Sequence, residues 1–485
     1  MISLCAQRSR AGCLGRTVFK NRIYELSETM VGKGVASLFG IGCSFGADRV
    51  VKMLMEFSEG CGDKGALYDE DSVERERMRA KACIGIWIAG VEGKTVSEEA
   101  LELLEESSES DAFAMQELGS CFYKSHGVPE DKKKAIDLYE RASLLGNASA
   151  MNSLGVCYET GEGVPRDGKK AIELCERASS LGNADAMCKL GLCYEQGTGV
   201  LKNKKKAVDL YQHAASLGNA DAMCNLGACY FKGNGVPEDK KKAVELFERA
   251  ASLGSAKAMC SLGRCYSKGK GVVEDFKKAI EFFETAASLG DPKAMYNLGL
   301  CYEHGTGVPH DTKKAIEFFE RAASLGHTGA MNDLAHRFHE GEGVAQDKKR
   351  AIELFEHAAS LGDARATNSL GVCYETGVGV PQDKKKAFEL FERATSLGCE
   401  LAMNNLGNCL SKGEGVLQDR EKAIDYFALA ASLGNADAMY NLGYCHYFGE
   451  GVSQDRNKAK EIWQKAANLG NKQAQKSLKM YYYKR

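Results

Sequence analysis

The sequence has no excess of charge of either sign and no long hydrophobic run. Its 485 residues contain 64 Lys+Arg and 66 Asp+Glu, which gives a formal net charge of −2. A chain so evenly balanced has no overall positive field that would attract nucleic acid or an anionic membrane surface. No apolar stretch approaches the roughly 20 residues of a membrane-spanning helix, and the most apolar window, 35–47, is short and rich in glycine. We therefore predict neither nucleic-acid binding nor membrane insertion.

The sequence also lacks catalytic and cofactor motifs. There is no GxxxxGK[ST] phosphate-binding loop, and no serine or histidine lies in the strand–elbow–helix context of a hydrolase. There is no CxxC pair, so the cysteine spacing gives no support to a zinc site. We predict a protein that is not an enzyme and that uses no cofactor.

What the sequence contains instead is a 36-residue unit, repeated ten times without insertion or deletion from Asp111 to Gly470. The unit at 219–254 has the sequence NADAMCNLGACYFKGNGVPEDKKKAVELFERAASLG. Nine units share one glycine, and Ala335 replaces it in the other unit. Self-similarity at this period indicates a stack of small supersecondary structures rather than several separate domains.

The first half of each unit predicts one helix, 220–232 in this example. Its apolar residues fall on one side at 100° per residue. Gly227 lies on that side and costs the helix about 1 kcal/mol in propensity, so its recurrence predicts that another backbone approaches closely there. Gly233 and Gly235 are expected to end the helix, because glycine accepts the left-handed conformation.

The second half of each unit predicts a second helix, capped at its N-terminus by Asp239. The last lysine of the DKKKA run, Lys242, is expected to pack its stem on the core while its head stays in water. The expected buried residues are Ala243, Val244, Leu246, Phe247, Ala250 and Leu253. A short helix pair cannot bury such a stripe alone, whereas ten pairs in register can, so we predict an all-α, right-handed α/α superhelix, or solenoid.

The shared pattern, AMxxLGxCYxxGxGVPxDxxKAxELFExAASLG, resembles the Sel-one-like repeat, a relative of the tetratricopeptide repeat, over residues 111–470. The resemblance implies that the first helices line a concave groove and the second helices a convex surface. It also implies a non-enzymatic scaffold or adaptor that binds protein or peptide partners in that groove. The alternative is a secreted or luminal recognition protein, a quality-control adaptor or a host-interaction factor, that uses the same groove.

We divide the chain into four segments. Residues 1–75 form an N-terminal segment that is partly disordered or a degenerate repeat, and 76–110 form a divergent eleventh repeat. The ten regular repeats occupy 111–470. Residues 471–485 are expected to form a C-terminal capping helix, since a solenoid needs a polar outer face at its end.

The candidate binding residues come from a variable stripe on the first helix, spaced i, i+3, i+7, i+10. In the unit that opens at Asp291 these positions hold Lys293, Tyr296, Leu300 and Glu303, and in the unit that opens at Asn435 they hold Asp437, Tyr440, Tyr444 and Tyr447. Exposed tyrosines are enriched at interface hot spots. We therefore predict that Tyr296, Leu300, Tyr440, Tyr444 and Tyr447 contact a partner, with His446 beside the last three. Drift on a surface without function is the alternative.

The unit at 327–362 departs most from the others. It has Arg337 in place of the recurrent cysteine, and it places His336 and His339 three residues apart on the variable stripe, close to His304 of the preceding unit. Two histidines so spaced can share a metal, but no acidic or cysteine ligand lies at a fitting spacing. We predict no metal site and count His336 and His339 among the partner-binding residues, as polar or pH-sensitive contacts, with neutral surface drift as the alternative.

Nine of the 19 cysteines occupy one column on the apolar side of the first helix. Neighbouring members are roughly 10 Å apart if adjacent helices pack at ordinary distances, which is too far for a disulfide. Free cysteine in such a position behaves as a small hydrophobic residue. We therefore predict a reduced, cytoplasmic setting, with the endoplasmic-reticulum lumen or secretion as the alternative, and we make no prediction of oligomeric state.

Overall fold

The structure is a computed structural model, and it describes residues 112–125 and 128–483. Within these ranges the chain forms 21 α-helices and no β-strand. Two compact units divide at Asp275 and Phe276. The first unit contains α1 (Ala112–Lys124), α2 (Lys132–Leu144), α3 (Ala148–Thr160), α4 (Gly168–Ser180), α5 (Ala184–Gln196), α6 (Lys204–Ser216), α7 (Ala220–Lys232), α8 (Lys240–Ser252) and α9 (Ala256–Tyr266).

The second unit continues the same alternation of first and second helices. It contains α10 (Phe276–Ser288), α11 (Pro292–His304), α12 (Thr312–Ser324), α13 (Thr328–Glu340), α14 (Lys348–Ser360), α15 (Ala364–Thr376), α16 (Lys384–Ser396), α17 (Glu400–Lys412), α18 (Arg420–Ser432), α19 (Ala436–Phe448), α20 (Arg456–Asn468) and α21 (Lys472–Tyr483). Odd-numbered helices up to α19 are the first helices of their repeats and even-numbered helices are the second.

Within each unit, every first helix packs against the second helices that precede and follow it along the chain. The apolar sides of both helices are buried in this way, as in a stack of helix–turn–helix repeats. The all-α solenoid predicted from the sequence is confirmed. The segments 1–75 and 76–110 lie outside the described residues. None of the helices in the described ranges is long and apolar enough to cross a membrane.

The helix ends follow the repeated capping residues. The Asp239 side chain accepts a hydrogen bond from the Lys242 backbone N–H at 3.0 Å, as predicted for an N-cap. Gly233 and Gly235 have φ values of 68° and 76°, which confirms the predicted left-handed end of the first helix. The first helix has its own cap, Asn219, whose side chain accepts from the Ala222 N–H at 2.7 Å.

The recurrent glycine gives room to an aromatic ring. A Cβ at Gly227 would lie 2.7 Å from Cε1 of Phe247 on the second helix and 3.2 Å from the Ala243 carbonyl oxygen. The group closest to this glycine is therefore an aromatic ring, and the backbone of the second helix, which was predicted to approach here, is slightly further away. In the last of the ten repeats, a Cβ at Gly443 would meet the Trp463 ring in the same way, at 2.5 Å.

The prediction that Leu253 is buried is wrong. The second helix ends at Ser252, and Leu253 is its C-cap, with 42% of its surface exposed. The equivalent leucines of the other repeats are also exposed. The apolar pattern of the second helix extends one residue beyond its last residue, Ser252. The pattern alone therefore predicts, wrongly, that Leu253 lies on the buried side of the helix.

The last lysine of the DKKKA run does more than was predicted. Lys206 Nζ lies 4.1 Å from the centroid of the Tyr194 ring and donates a hydrogen bond to its hydroxyl at 2.6 Å. Lys386 and Tyr374 repeat the arrangement at 4.0 and 2.6 Å. The ammonium group therefore links the second helix to the first helix of its own repeat by cation–π attraction.

Candidate protein-binding surface

The four variable positions of the first helices form what we call the variable face. The second of these positions does not lie wholly in solvent. Cys224 is buried there, and Tyr296 and Tyr440 are half-buried. The reason is that this position packs against the first helix of the following repeat, a contact that a single-helix plot does not show.

Tyr296 on α11 is held by the next repeat. Its hydroxyl donates to Asp333 Oδ2 at 2.8 Å, and its ring stacks on His327 with 4.6 Å between centroids. Burial, and next the hydrogen bond to Asp333, raise the pKa of Tyr296 above its ordinary value. Leu300, one turn further along, is half-buried. Tyr296 therefore presents only part of its ring to a partner.

An open cleft of about 330 Å³ lies beside Tyr296, between α11, α13 and α15. Gly329, at the first variable position of α13, lines the cleft. Arg365 and Asp333 also line the cleft. The cleft combines an exposed cation with carboxylate and amide oxygens, which suits a polar ligand of mixed charge.

His336 and His339 make separate contacts. The Nε2 atom of His336 lies 3.3 Å from Ser369 Oγ, and its ring meets the edge of Phe355 at 5.0 Å. The Nδ1 atom of His339 lies 2.7 Å from Glu340 Oε1. Burial lowers the pKa of His336. Across the described ranges, no group of three or more potential metal-ligating side chains comes together.

The half-buried Arg337 explains part of the divergence of this unit. It takes the place of the recurrent cysteine, forms an ion pair with Glu303 of the preceding repeat, and lies 5.4 Å from the centroid of the Phe319 ring. His304 is exposed, with its Nδ1 3.9 Å from Glu303. The unit is thus tied to its neighbour by an ion pair where other units use apolar contact.

The structure separates the three C-terminal tyrosines that the sequence placed together. Tyr440 stacks on Trp463 of α20 at 6.3 Å, and Tyr447 packs against the same indole at 5.2 Å. The Trp463 Nε1–H donates to the Tyr440 carbonyl oxygen at 3.1 Å. Tyr440 and Tyr447 therefore belong partly to the core, because the tryptophan reaches between them.

Tyr444 is the exposed member, with 39% of its surface accessible, and it packs on Phe448 at 4.5 Å. Phe448 is 53% exposed and was missed by the sequence analysis, although it lies at i+4 from Tyr444 on the same helix face. His446 is buried, so it does not join the exposed pair. Tyr444 and Phe448 form what we call the aromatic patch.

A second feature missed from the sequence is a row of asparagines across α15, α17 and α19. Asn405 Nδ2 donates to Asn368 Oδ1 at 3.0 Å, and Asn441 Nδ2 donates to Asn404 Oδ1 at 2.9 Å and to Asn408 Oδ1 at 3.2 Å. Asparagine recurs at neighbouring positions of these repeats. The sequence alone does not reveal its role, because the hydrogen bonds join one repeat to the next. We call the five side chains the amide ladder.

The recurrent cysteines lie where the sequence predicted. Most of them are buried, and Cys193 and Cys301 are half-buried. Burial raises the pKa of the Cys265 thiol to about 11 and that of Cys121 to about 12. A thiol is nucleophilic only as the thiolate, so these groups act as packing residues.

The comparison with protein families follows the same repeat boundaries. The family model described as Sel1 repeat matches residues 112–147, 148–183, 184–219, 220–255, 256–291, 292–327, 328–363, 364–399, 401–435 and 436–471. The chain belongs to the Sel1 repeat family. The Sel-one-like resemblance inferred from the sequence is thereby confirmed. Sel1 repeat proteins generally mediate protein–protein interaction and are typically non-catalytic scaffolds.

Several solved structures are similar to this chain. A protective antigen of uropathogenic Escherichia coli strains is 30% identical, over 79% of this chain and 91% of that one, with a TM-score of 0.42. A Sel1 repeat protein from Oxalobacter formigenes is 30% identical, over 67% and 93% of the two chains, with a TM-score of 0.45. Cysteine rich protein B of Helicobacter pylori is 32% identical, over 27% and 95%, with a TM-score of 0.23. No curated protein matches the chain.

Proposed function

We propose that this Sel1 repeat protein is a non-enzymatic scaffold, or adaptor, that binds protein or peptide partners through the variable face of its first helices. In the family resemblance this is the concave side. The observation that carries the proposal is the exposed aromatic patch of Tyr444 and Phe448 on α19. Exposed neighbouring aromatic side chains mark interaction sites more often than isolated apolar residues do.

The aromatic patch is held in place by the core beneath it. Tyr447 lies 4.9 Å from Phe448 and packs against the buried Trp463 on its other side. A ring fixed in this way loses little conformational entropy when a partner covers it. Tyr444 is therefore the central contact that we propose, with Tyr440 and Tyr447 as its support.

The cleft beside Tyr296 is the second contact region that we propose. It adds the guanidinium of Arg365 to the partly exposed Tyr296 and Leu300, and the α13 helix adds His336 and His339. A partner that spans several repeats would meet polar groups here and apolar rings at α19. Such spacing of contacts is typical of recognition by repeat proteins.

Site-specific photocross-linking in native cells tests the proposal. Tyr444 is replaced by benzoylphenylalanine in one variant, and Leu429, which is 47% exposed on the second helix α18, is replaced in the control. We expect proteins that cross-link from position 444 and not from position 429. A parallel affinity purification uses chains without the cross-linking residue. There, the recovery of the same proteins should be lower with the Tyr444→Ala, Phe448→Ala variant as bait than with the wild type.

The opposite results would contradict the proposal. Equal cross-linking from both positions would mean non-specific contact. The absence of any protein cross-linked to position 444 would move partner binding away from α19. Changing Tyr440, Tyr444 and Tyr447 together would be a poorer test, because Tyr440 and Tyr447 pack on Trp463 and their loss would disturb the helix pair.

We also propose that the protein works in the reducing cytoplasm. The buried cysteine column supports this, because those thiols pack as small hydrophobic residues. The alternative is a secreted or luminal recognition protein with the same binding face. Mass spectrometry of the native protein separates the two, since disulfides, N-glycans or a cleaved N-terminus would favour the alternative.

A further inference from the structure

The amide ladder crosses three successive first helices of the second unit. Asn368 on α15 and Asn404 on α17 are 7% and 9% exposed, and they accept the hydrogen bonds from the next repeat. Asn405, Asn408 and Asn441 are half-exposed, and Asn408 lies on the variable face. The two buried amides join neighbouring helices, and the three outer amides border the solvent.

The outer amides have hydrogen-bonding groups that the ladder leaves unused. A primary amide has two N–H donors and a carbonyl acceptor. Asn405 uses one N–H and Asn441 uses its NH₂ group, whereas Asn408 uses only its carbonyl oxygen. The side-chain carbonyl oxygens of Asn405 and Asn441 and the NH₂ group of Asn408 have no protein partner among the described residues. The bonds within the ladder fix the direction of these unused groups.

We propose that the amide ladder binds the backbone of an extended peptide segment, with one apolar side chain of that segment resting on the aromatic patch. This inference rests on the proposed function and specifies the conformation and chemistry of the partner. Acceptors on Asn405 and Asn441 suit backbone N–H groups, and the donor on Asn408 suits a backbone carbonyl. Since an α-helical ligand already pairs these groups internally, the ladder favours an extended chain.

The spacing of the ladder supports the same conformation. Neighbouring packed helices are roughly 10 Å apart, and an extended chain advances roughly 3.4 Å per residue. One repeat therefore corresponds to about three residues of peptide. Asn441 precedes Tyr444 by three residues on one helix face, so a backbone bound at Asn441 would bring a nearby side chain to the aromatic patch.

The same column in the first unit provides a matched control. Asn225 on α7 donates to Cys188 Sγ at 3.4 Å and accepts from Lys257 Nζ at 2.8 Å. Its donor and its acceptor are both engaged by neighbouring repeats. It therefore resembles the ladder in position and differs from it in having no comparable pair of open groups.

The test begins with a random 12-residue peptide library on phage, selected against the full chain. The most enriched peptide is synthesised, and its dissociation constant is measured by fluorescence anisotropy. Each backbone nitrogen of the peptide is then methylated in turn, with the wild-type protein unchanged. We expect about tenfold weaker binding at positions about three residues apart, as for loss of a hydrogen bond, and little change between them.

Protein variants provide the second arm. Asn405→Ala with Asn408→Ala should weaken the peptide about tenfold or more, Tyr444→Ala should weaken it similarly, and Asn225→Ala should not. Circular dichroism checks that each variant retains its helices. Peptides that lose affinity with Tyr444→Ala but tolerate backbone methylation and both asparagine changes would overturn this inference and leave the proposed function intact. A library with no enriched peptide would also overturn it, while the cross-linking experiment tests the function independently.

Discussion

At the scale of single residues, His446 occupies a position that most other first helices give to an aromatic ring. Tyr374 is one example, with its ring against the ammonium of Lys386. His446 is buried, and its Nδ1 has no hydrogen-bond partner within the described structure. Burial, and next the charge of Lys458, lower the pKa of His446 below its ordinary 6.5, while Asp455 acts in the opposite direction.

This lowered pKa predicts a loss of stability in mild acid. The unfolded chain binds a proton at His446 more readily than the folded chain does. The contribution of neutral His446 to the free energy of unfolding is therefore fully present above about pH 6.5. That contribution is lost as the pH falls through the lower pKa of the folded state. In His446→Tyr, the urea midpoint should therefore change less between pH 7 and pH 5 than in the wild type.

An exposed histidine provides the control for this experiment. His213→Gln on the second helix α6 removes an exposed histidine. The wild-type pH dependence should persist in that variant. If His446→Tyr and His213→Gln behave alike, the acid sensitivity arises elsewhere, for example at His327 or His336, whose pKa values burial also lowers.

The residue scale is also where prediction from sequence was weakest. The variable stripe was defined by first-helix residues that differ among repeats, and Tyr444 on it is exposed. The stripe could not show that Tyr440 and Tyr447 pack on Trp463, because that contact joins two helices. The amide ladder was missed for the same reason. Single-helix periodicity describes one helix, and these contacts depend on the next.

At the scale of the helix pair, the recurrent glycine determines how closely the first and second helices pack. An alanine at Gly227 would gain about 1 kcal/mol of helix propensity. Its Cβ would also come within 2.7 Å of the buried Phe247 ring. Overpacking of this kind costs about 1–3 kcal/mol, so we expect Gly227→Ala to lower the midpoint of urea unfolding.

The chain contains a matched site for this comparison. At Gly155 the facing residue is Cys175, and a new Cβ would lie 3.3 Å from its Sγ. A small relaxation can accommodate that distance, so Gly155→Ala should be neutral or stabilising by up to about 1 kcal/mol. Equal destabilisation in both variants would show that backbone contact, rather than the ring, requires the glycine.

The helix pair was also the most predictable element. Its boundaries depend on local chemistry that recurs in each repeat, such as the Asp239 N-cap and the left-handed Gly233. The error at Leu253 arose at a boundary, where the apolar period and the helix end at different residues. Local sequence rules therefore predict the helices, whereas the exposure of a residue at a helix boundary depends on the neighbouring repeat.

At the scale of the whole molecule, the described helices contact mainly their neighbours along the chain. Stability in such a stack is the sum of repeat stabilities and interfaces between adjacent repeats. After the last repeat, only α21 continues the stack in the described part of the chain. Ala474 and Leu478 of α21 are buried in one cluster with Trp463 and Ala466 of α20. Without α21, this apolar surface would face water.

Deletion of residues 471–485 should therefore loosen the end of the second unit and little else. Hydrogen exchange followed by mass spectrometry should show faster exchange in α19 and α20, a smaller change in α17 and α18, and none in α1–α8. Lys479→Ala, an exposed change on α21, should leave all of these rates unchanged. Faster exchange throughout the chain would mean that the repeats unfold as one cooperative body. In that case the nearest-neighbour description of this solenoid would be wrong, and binding at the aromatic patch would depend on the stability of distant repeats.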